Sequence, residues 1–130
     1  MKPIMAPCPR HIRRRYLTGK CDVLATCLAE EHGFELGAMR NQNGHIEHVF
    51  ARHPASGMAI DIRGVMPVSE IPRGSALEDR PHVLDTTTRD EIAAAFGTCD
   101  LSDRVEAERV IRTYLAPVLE ELDYDPAPGH

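Results

Sequence analysis

Cys21 stands where a glycine-led loop, "YLTGK", turns into an amphipathic helix, "CDVLATCLAEEHG". A thiol inside a helix needs only a packing reason. At a first turn, directly after Lys20, it has chemistry open to it. The thiolate is the nucleophile, and a helix N-terminus and a neighbouring cation both stabilise it. Such a nucleophile needs a base to take its proton and a third group to orient that base. His48 is the candidate base. It shares a strand face with Ile46 and Phe50, where an imidazole needs a hydrogen-bond partner. Asp61 is the candidate partner, a carboxylate set unusually between Ile60 and Ile62. Strand parity tests the pair. An even turn between the two strands, such as the four residues Pro54–Gly57, puts both side chains on one face and within reach. An odd turn separates them.

Three elements must carry these groups. The spacing of Val23, Leu24, Cys27 and Leu28 predicts a helix from Lys20 to His32, preceded by Thr18 or Gly19 and closed by Gly33. "FELGAMR" predicts a strand over Phe34 to Arg40, and "NQNG" a turn. "HIEHVFARH" alternates as a strand, "PASG" is a hairpin turn, and "MAIDIRG" is the returning strand, closed by Gly64. Val65 to Pro81 is irregular, with Pro67, Pro72, Gly74 and Pro81, and is expected to cover the cleft; trimming it should affect substrate handling more than stability. "HVL", from His82, is a further short strand. Thr88 and Glu91 form a capping box for a short helix ending at Gly97. Ser102 is the expected cap of a last helix that Pro117 should kink or split. Residues 1–15 are expected to be an arm or short turn and residues 124–130 a frayed tail. No repeat or linker divides the 130 residues, so one domain is expected. Helix, then strands, then helices make an α+β order.

Cys, His and Asp in that chain order, the Cys on a helix N-terminus and the others on adjacent antiparallel strands, resemble the papain-like superfamily. The nearer resemblance is to its small transglutaminase-like and bacterial cell-wall peptidase or deamidase-toxin branches. "GKCDVLATCLA", "HVF" and "MAIDIRG" carry it, over about residues 16–64. The resemblance implies a minimal papain-like core: a nucleophile helix packed on a small antiparallel sheet, with C-terminal helices. It implies acyl transfer through a thioester on a protein or peptide amide, as protease, deamidase or transglutaminase, with no cofactor. Cys21 would be nucleophile, His48 base and Asp61 orienting acid. No Gln or Asn precedes Cys21 to form an oxyanion hole. The backbone N–H of Cys21 can serve as one donor, and Tyr16 is the guess for another. A non-catalytic interaction or accessory protein keeping the same fold is the alternative.

The remaining chemistry-bearing residues have plainer readings. Cys27 is mid-helix and reads as core, and Cys8 and Cys99 carry no discernible role. No CxxC pair, zinc spacing or disulfide framework is present among the four cysteines. A metal site from His45, His48, His53, Asp61 and Cys21 is disfavoured, because His45 and His48 point to opposite strand faces. His45 reads as turn solvation that could line the cleft. Arg63, two residues after Asp61, shares its face: it either pairs with that carboxylate or binds substrate carboxylate or carbonyl groups. Arg10, Arg13, Arg14 and Arg15 read as a solvated basic turn of a short helix rather than a phosphate site. A net charge of −5 argues against nucleic acid as the main partner. The first residues lack the apolar core of a secretion signal, and no run approaches a membrane span, so a cytoplasmic protein is expected. A dedicated secretion machine would leave no such mark.

Overall fold

The computed structural model describes residues 3–123, so the expected tail at 124–130 lies outside the described residues. The α+β order is observed as an open, wholly antiparallel sheet of six strands with helices. Residues 3–18 contain a short strand and a helix rather than an arm. Strand β1 (Ile4–Met5) pairs with β5, and α1 spans Arg10–Thr18. Tyr16 and Ala6 explain the difference. Both are buried, which ties this segment to the core.

Helix α2 (Cys21–His32) ends as its sequence predicts, with Gly33 in the left-handed conformation at φ 71°, and starts one residue later than expected, Lys20 being the residue before its first turn. Strands β2 (Glu35–Asn41) and β3 (Ile46–Arg52) follow. Their ladder is irregular between Met39 and Arg40, where Glu47 is the extra residue. The returning strand is shorter than its sequence suggests. β4 covers only Ala59–Asp61; the chain turns at Ile62–Arg63, and Gly64 opens β5 (Gly64–Met66) instead of closing β4. Gly64 sits at φ 126°, and a Cβ there would strike the Ile4 carbonyl of β1. A glycine is therefore what lets β1 close on this edge. Strand β6 (His82–Thr86) pairs with β2, giving the order β1-β5-β4-β3-β2-β6.

The sheet has two different covers. On one face α2 packs Val23, Leu24, Cys27 and Leu28 against Ala51, Ile60, Ile62 and Val65, backed by the C-terminal helices. On the other, Ile71 and Leu77 of the irregular segment pack on Met39, Phe50, Ala59 and Met66. That segment contains a 3-10 turn (Val68–Glu70). Because Ile71 and Leu77 are buried, it is a fixed wall of the fold. Trimming it would cost stability as well as any substrate handling, contrary to the expectation from sequence.

Helix α3 (Arg89–Phe96) has the expected cap, Thr88 Oγ1 accepting from the Glu91 N–H at 3.1 Å. Helix α4 (Leu101–Val110) is capped by Asp100, not Ser102; Asp100 Oδ1 accepts from the Asp103 N–H and from the Ser102 hydroxyl. Aspartate ranks with serine as a cap, so the choice rests on which of them precedes the first turn. Pro117 has its effect upstream. Ile111–Leu115 widen into a π-turn, and α5 (Ala116–Asp123) carries Pro117 at its second position. The wider turn absorbs the missing proline N–H without ending the helix.

Gly37 deserves a test of its own. It lies opposite Phe50, and a Cβ there would meet ring atoms Cζ at 2.5 Å and Cδ2 at 2.9 Å. Phe50 is buried and cannot step aside. Gly37→Ala is expected to cost about 1–3 kcal/mol by overpacking, read as a lowered urea midpoint. A neutral result would mean the ring has room to rotate away.

Candidate active site

The turn between β3 and β4 contains the even number of residues that parity requires. Arg52 pairs with Ala59 and Ala51 with Ile60. His48 and Asp61 therefore face the same side, and His48 Nε2 lies 3.0 Å from Asp61 Oδ2. Both side chains are buried, at 4% and 2% exposure. Arg63 completes the carboxylate's shell. Its Nη2 donates to Oδ2 at 2.6 Å, its Nε donates to both oxygens at 3.1 Å, and its backbone N–H donates to Oδ1 at 2.9 Å. Arg63 also donates to the carbonyls of Ile71 and Arg73, which joins the pair to the covering segment.

Cys21 arrives from the helix layer. It is the first residue of α2 and packs with Ala25, Val49 and Ile92. The β3–β4 ladder is short, so the His48 end of β3 has no strand on that side. There the Cys21 thiol adjoins the His48 ring, close enough to favour its cation. With Nε2 committed to Asp61, Nδ1 is the nitrogen left for the thiol.

The electrostatics follow from these contacts. Burial opposes a charged imidazole, yet the bonds to Asp61 and Cys21 outweigh it and raise His48 to about 9. Burial likewise opposes the Asp61 carboxylate, but His48 and Arg63 outweigh it and hold the acid down to about 2. At neutral pH the site therefore holds an imidazolium, a carboxylate and a guanidinium. Lys20, the cation expected beside the thiol, is turned to Asp103 of α4 at 2.8 Å. Its bond anchors the start of α2 to α4.

A cleft of about 580 Å³ opens on His48. Met39, Glu47 and Arg63 lie about its base, Ile71 to Leu77 form one wall, and α1 forms the other. The covering segment thus lines the cleft as its sequence suggested. Cys21 is only 2% exposed and is not among the lining residues, so the cleft reaches the His48 imidazole before the thiol.

Two of the sequence's site residues lie elsewhere. Tyr16 is buried between α1 and α4, its hydroxyl donating to Glu106 at 3.2 Å, and it is no oxyanion donor in this structure. Burial first, then Glu106, holds its phenol protonated. It is the core anchor of α1, which the apolar neighbours Ile12 and Leu17 foretold. His45 is exposed in the β2–β3 turn, beside Arg40 and Glu91 and away from the cleft. Its backbone N–H donates to Asn41 Oδ1, so the turn sets its place. Arg63 takes the first of its two readings, pairing with Asp61. Among the described residues no group of three His, Cys, Asp or Glu is arranged to hold a metal ion, and no helix is long and apolar enough to cross a membrane.

Three of the four arginines read from sequence as a solvated basic turn have another place. Arg10, Arg13 and Arg14 face the cleft together with Leu17 and Thr18. Their spacing of three and four is that of one helix face, a signal the sequence carried. With its fold and candidate site on view, the chain matches no protein-family model, no curated protein and no solved structure.

Proposed function

We propose that this protein is a cysteine-dependent amide-processing enzyme of papain-like design, with Cys21 as nucleophile, His48 as base and Asp61 as orienting acid. The observation that carries it is the buried His48–Asp61 hydrogen bond, with the Cys21 thiol beside the imidazole. Arg63 supports the same reading: with His48 it keeps Asp61 a carboxylate, the form that can orient the imidazole.

The chemistry then runs in an ordinary order. Asp61 fixes the imidazole and stabilises its cation. The thiolate attacks an amide carbonyl, and the backbone N–H at the start of α2 would donate to the oxyanion. Imidazolium Nδ1–H protonates the leaving amine, and water or a second amine releases the thioester. The substrate would be a protein or peptide amide.

Intact-mass analysis after p-nitrophenyl acetate tests the reading. One acetyl group on Cys21 is expected, absent in Cys21→Ala and strongly reduced in His48→Ala. Ammonia release, new α-amines, or amine incorporation on a peptide library then separate deamidase, protease and transglutaminase. Acetylation spread over Cys8, Cys21 and Cys99 alike would sink the nucleophile assignment.

The occlusion of Cys21 favours a second reading: a non-catalytic interaction protein in which His48, Asp61 and Arg63 are a structural ion network. In that case Cys21 is a small buried hydrophobe. Thiol reactivity divides the two readings and is taken up in the Discussion.

A further inference from the structure

We propose that the cleft takes an acidic, extended peptide segment, with carboxylates on alternate residues lying along α1. This deepens the amide-processing reading and rests on it for the reaction, though the binding itself does not require Cys21.

Arg10, Arg13 and Arg14 face the cleft from one side of α1. None of the three has a carboxylate partner among the described residues, although the chain carries 20 Asp and Glu and a net charge of −5. Arg13 gives one nitrogen to the Cys8 carbonyl at 3.0 Å, and its Nε is buried without an acceptor. Arg15, the next residue of the run, is instead paired with Glu106. Cations left unpaired on one wall of a concave site, in an acidic chain, focus its potential on anions.

Geometry favours a peptide over a compact anion. Arg10 and Arg14 are one helical turn apart, about 6 Å along the axis. An extended peptide repeats its side chains on one face at about 6.8 Å. A row of guanidinium forks therefore meets every second side chain of a strand-like ligand, and each fork matches a carboxylate bidentately. A single phosphate calls for donors converging on one point, not a row. Leu17, Met39 and Leu77 between the charged groups supply apolar contact for the intervening stems.

The probe is fluorescein-labelled (Glu-Ala)₄, titrated by anisotropy with the full chain at low salt. (Gln-Ala)₄, (Lys-Ala)₄ and inorganic phosphate are the comparisons. (Glu-Ala)₄ should bind at least about tenfold tighter than (Gln-Ala)₄ and weaken about tenfold in Arg10→Gln/Arg14→Gln. Both arginines are exposed, so that variant should keep the wild-type circular dichroism. Arg10→Lys/Arg14→Lys should retain part of the affinity, and Cys21→Ala all of it. Equal binding of (Gln-Ala)₄, or full binding by the double Gln variant, overturns the proposal. So does inorganic phosphate displacing bound (Glu-Ala)₄ at concentrations below the peptide's own Kd. An inert Cys21 beside intact peptide binding would sink the catalytic reading alone. Acetylation of Cys21 without peptide binding would sink this one alone.

Discussion

At pH 6, iodoacetamide is expected to label Cys21 at least about a hundredfold faster than Cys27, and His48→Ala to abolish the difference. Cys27 is a matched control inside the same helix. It is 1% exposed against 2% for Cys21, so access does not separate them. Burial pushes the Cys27 thiol up to about 11, and no imidazole adjoins it. Only the neighbourhood differs: Cys21 has the His48 ring beside it, with Asp61 behind that ring. Cys99 is half-buried and will label on exposure alone, which makes it a poor reference. The measurement is peptide-resolved mass spectrometry over a labelling time course from pH 5 to 9. If Cys21 and Cys27 label at equal rates, or if His48→Ala leaves the ratio unchanged, the buried network is structural and the non-catalytic reading stands.

Asp61→Asn is expected to cost about 3–5 kcal/mol, because it leaves two buried cations without their shared anion. Its clearer mark is the sign of the pH dependence. The raised pKa of His48, about 9 against an ordinary 6.5, contributes stability that is fully present below pH 6.5 and lost as pH rises through 9. The lowered pKa of Asp61, about 2 against 3.8, contributes stability present above pH 3.8 and lost as pH falls through 2. Wild type should therefore draw most from this pair between about pH 4 and 6.5. In Asp61→Asn, burial dominates at His48 and disfavours its cation. The variant should gain stability as pH rises through 6.5, where wild type loses it. Urea midpoints at pH 5, 7 and 9 read the two slopes. Slopes of the same sign would show that Asp61 does not hold the imidazolium.

Local signals carried far in this chain. The Gly33 terminus of α2 and the Thr88 cap follow from short-range chemistry: a left-handed position that glycine alone fills cheaply, and a hydroxyl three residues from the N–H it accepts. The same is true of His48 and Asp61. A polar residue in an apolar strand face must find a partner, and an even turn limits which one it finds. The misplaced elements are those decided by distant contacts. β1 exists because Gly64 leaves room for it, sixty residues away. β4 ends early because the chain turns at Ile62–Arg63, and no composition signal marks that turn.

Residue type and spacing by themselves determined the α+β order, the helix that carries Cys21, the two strands behind it and the pairing of His48 with Asp61. Each depends on periodicity or on parity over a few residues, which a chain carries in its own order. Only the tertiary structure decided the rest. It gave Arg63 to the carboxylate, Lys20 to Asp103 and Tyr16 to the core. It turned a run of arginines into one wall of a cleft. Those outcomes depend on which long side chains meet across elements far apart in the chain, and such meetings are set by packing of the whole sheet and its two covers.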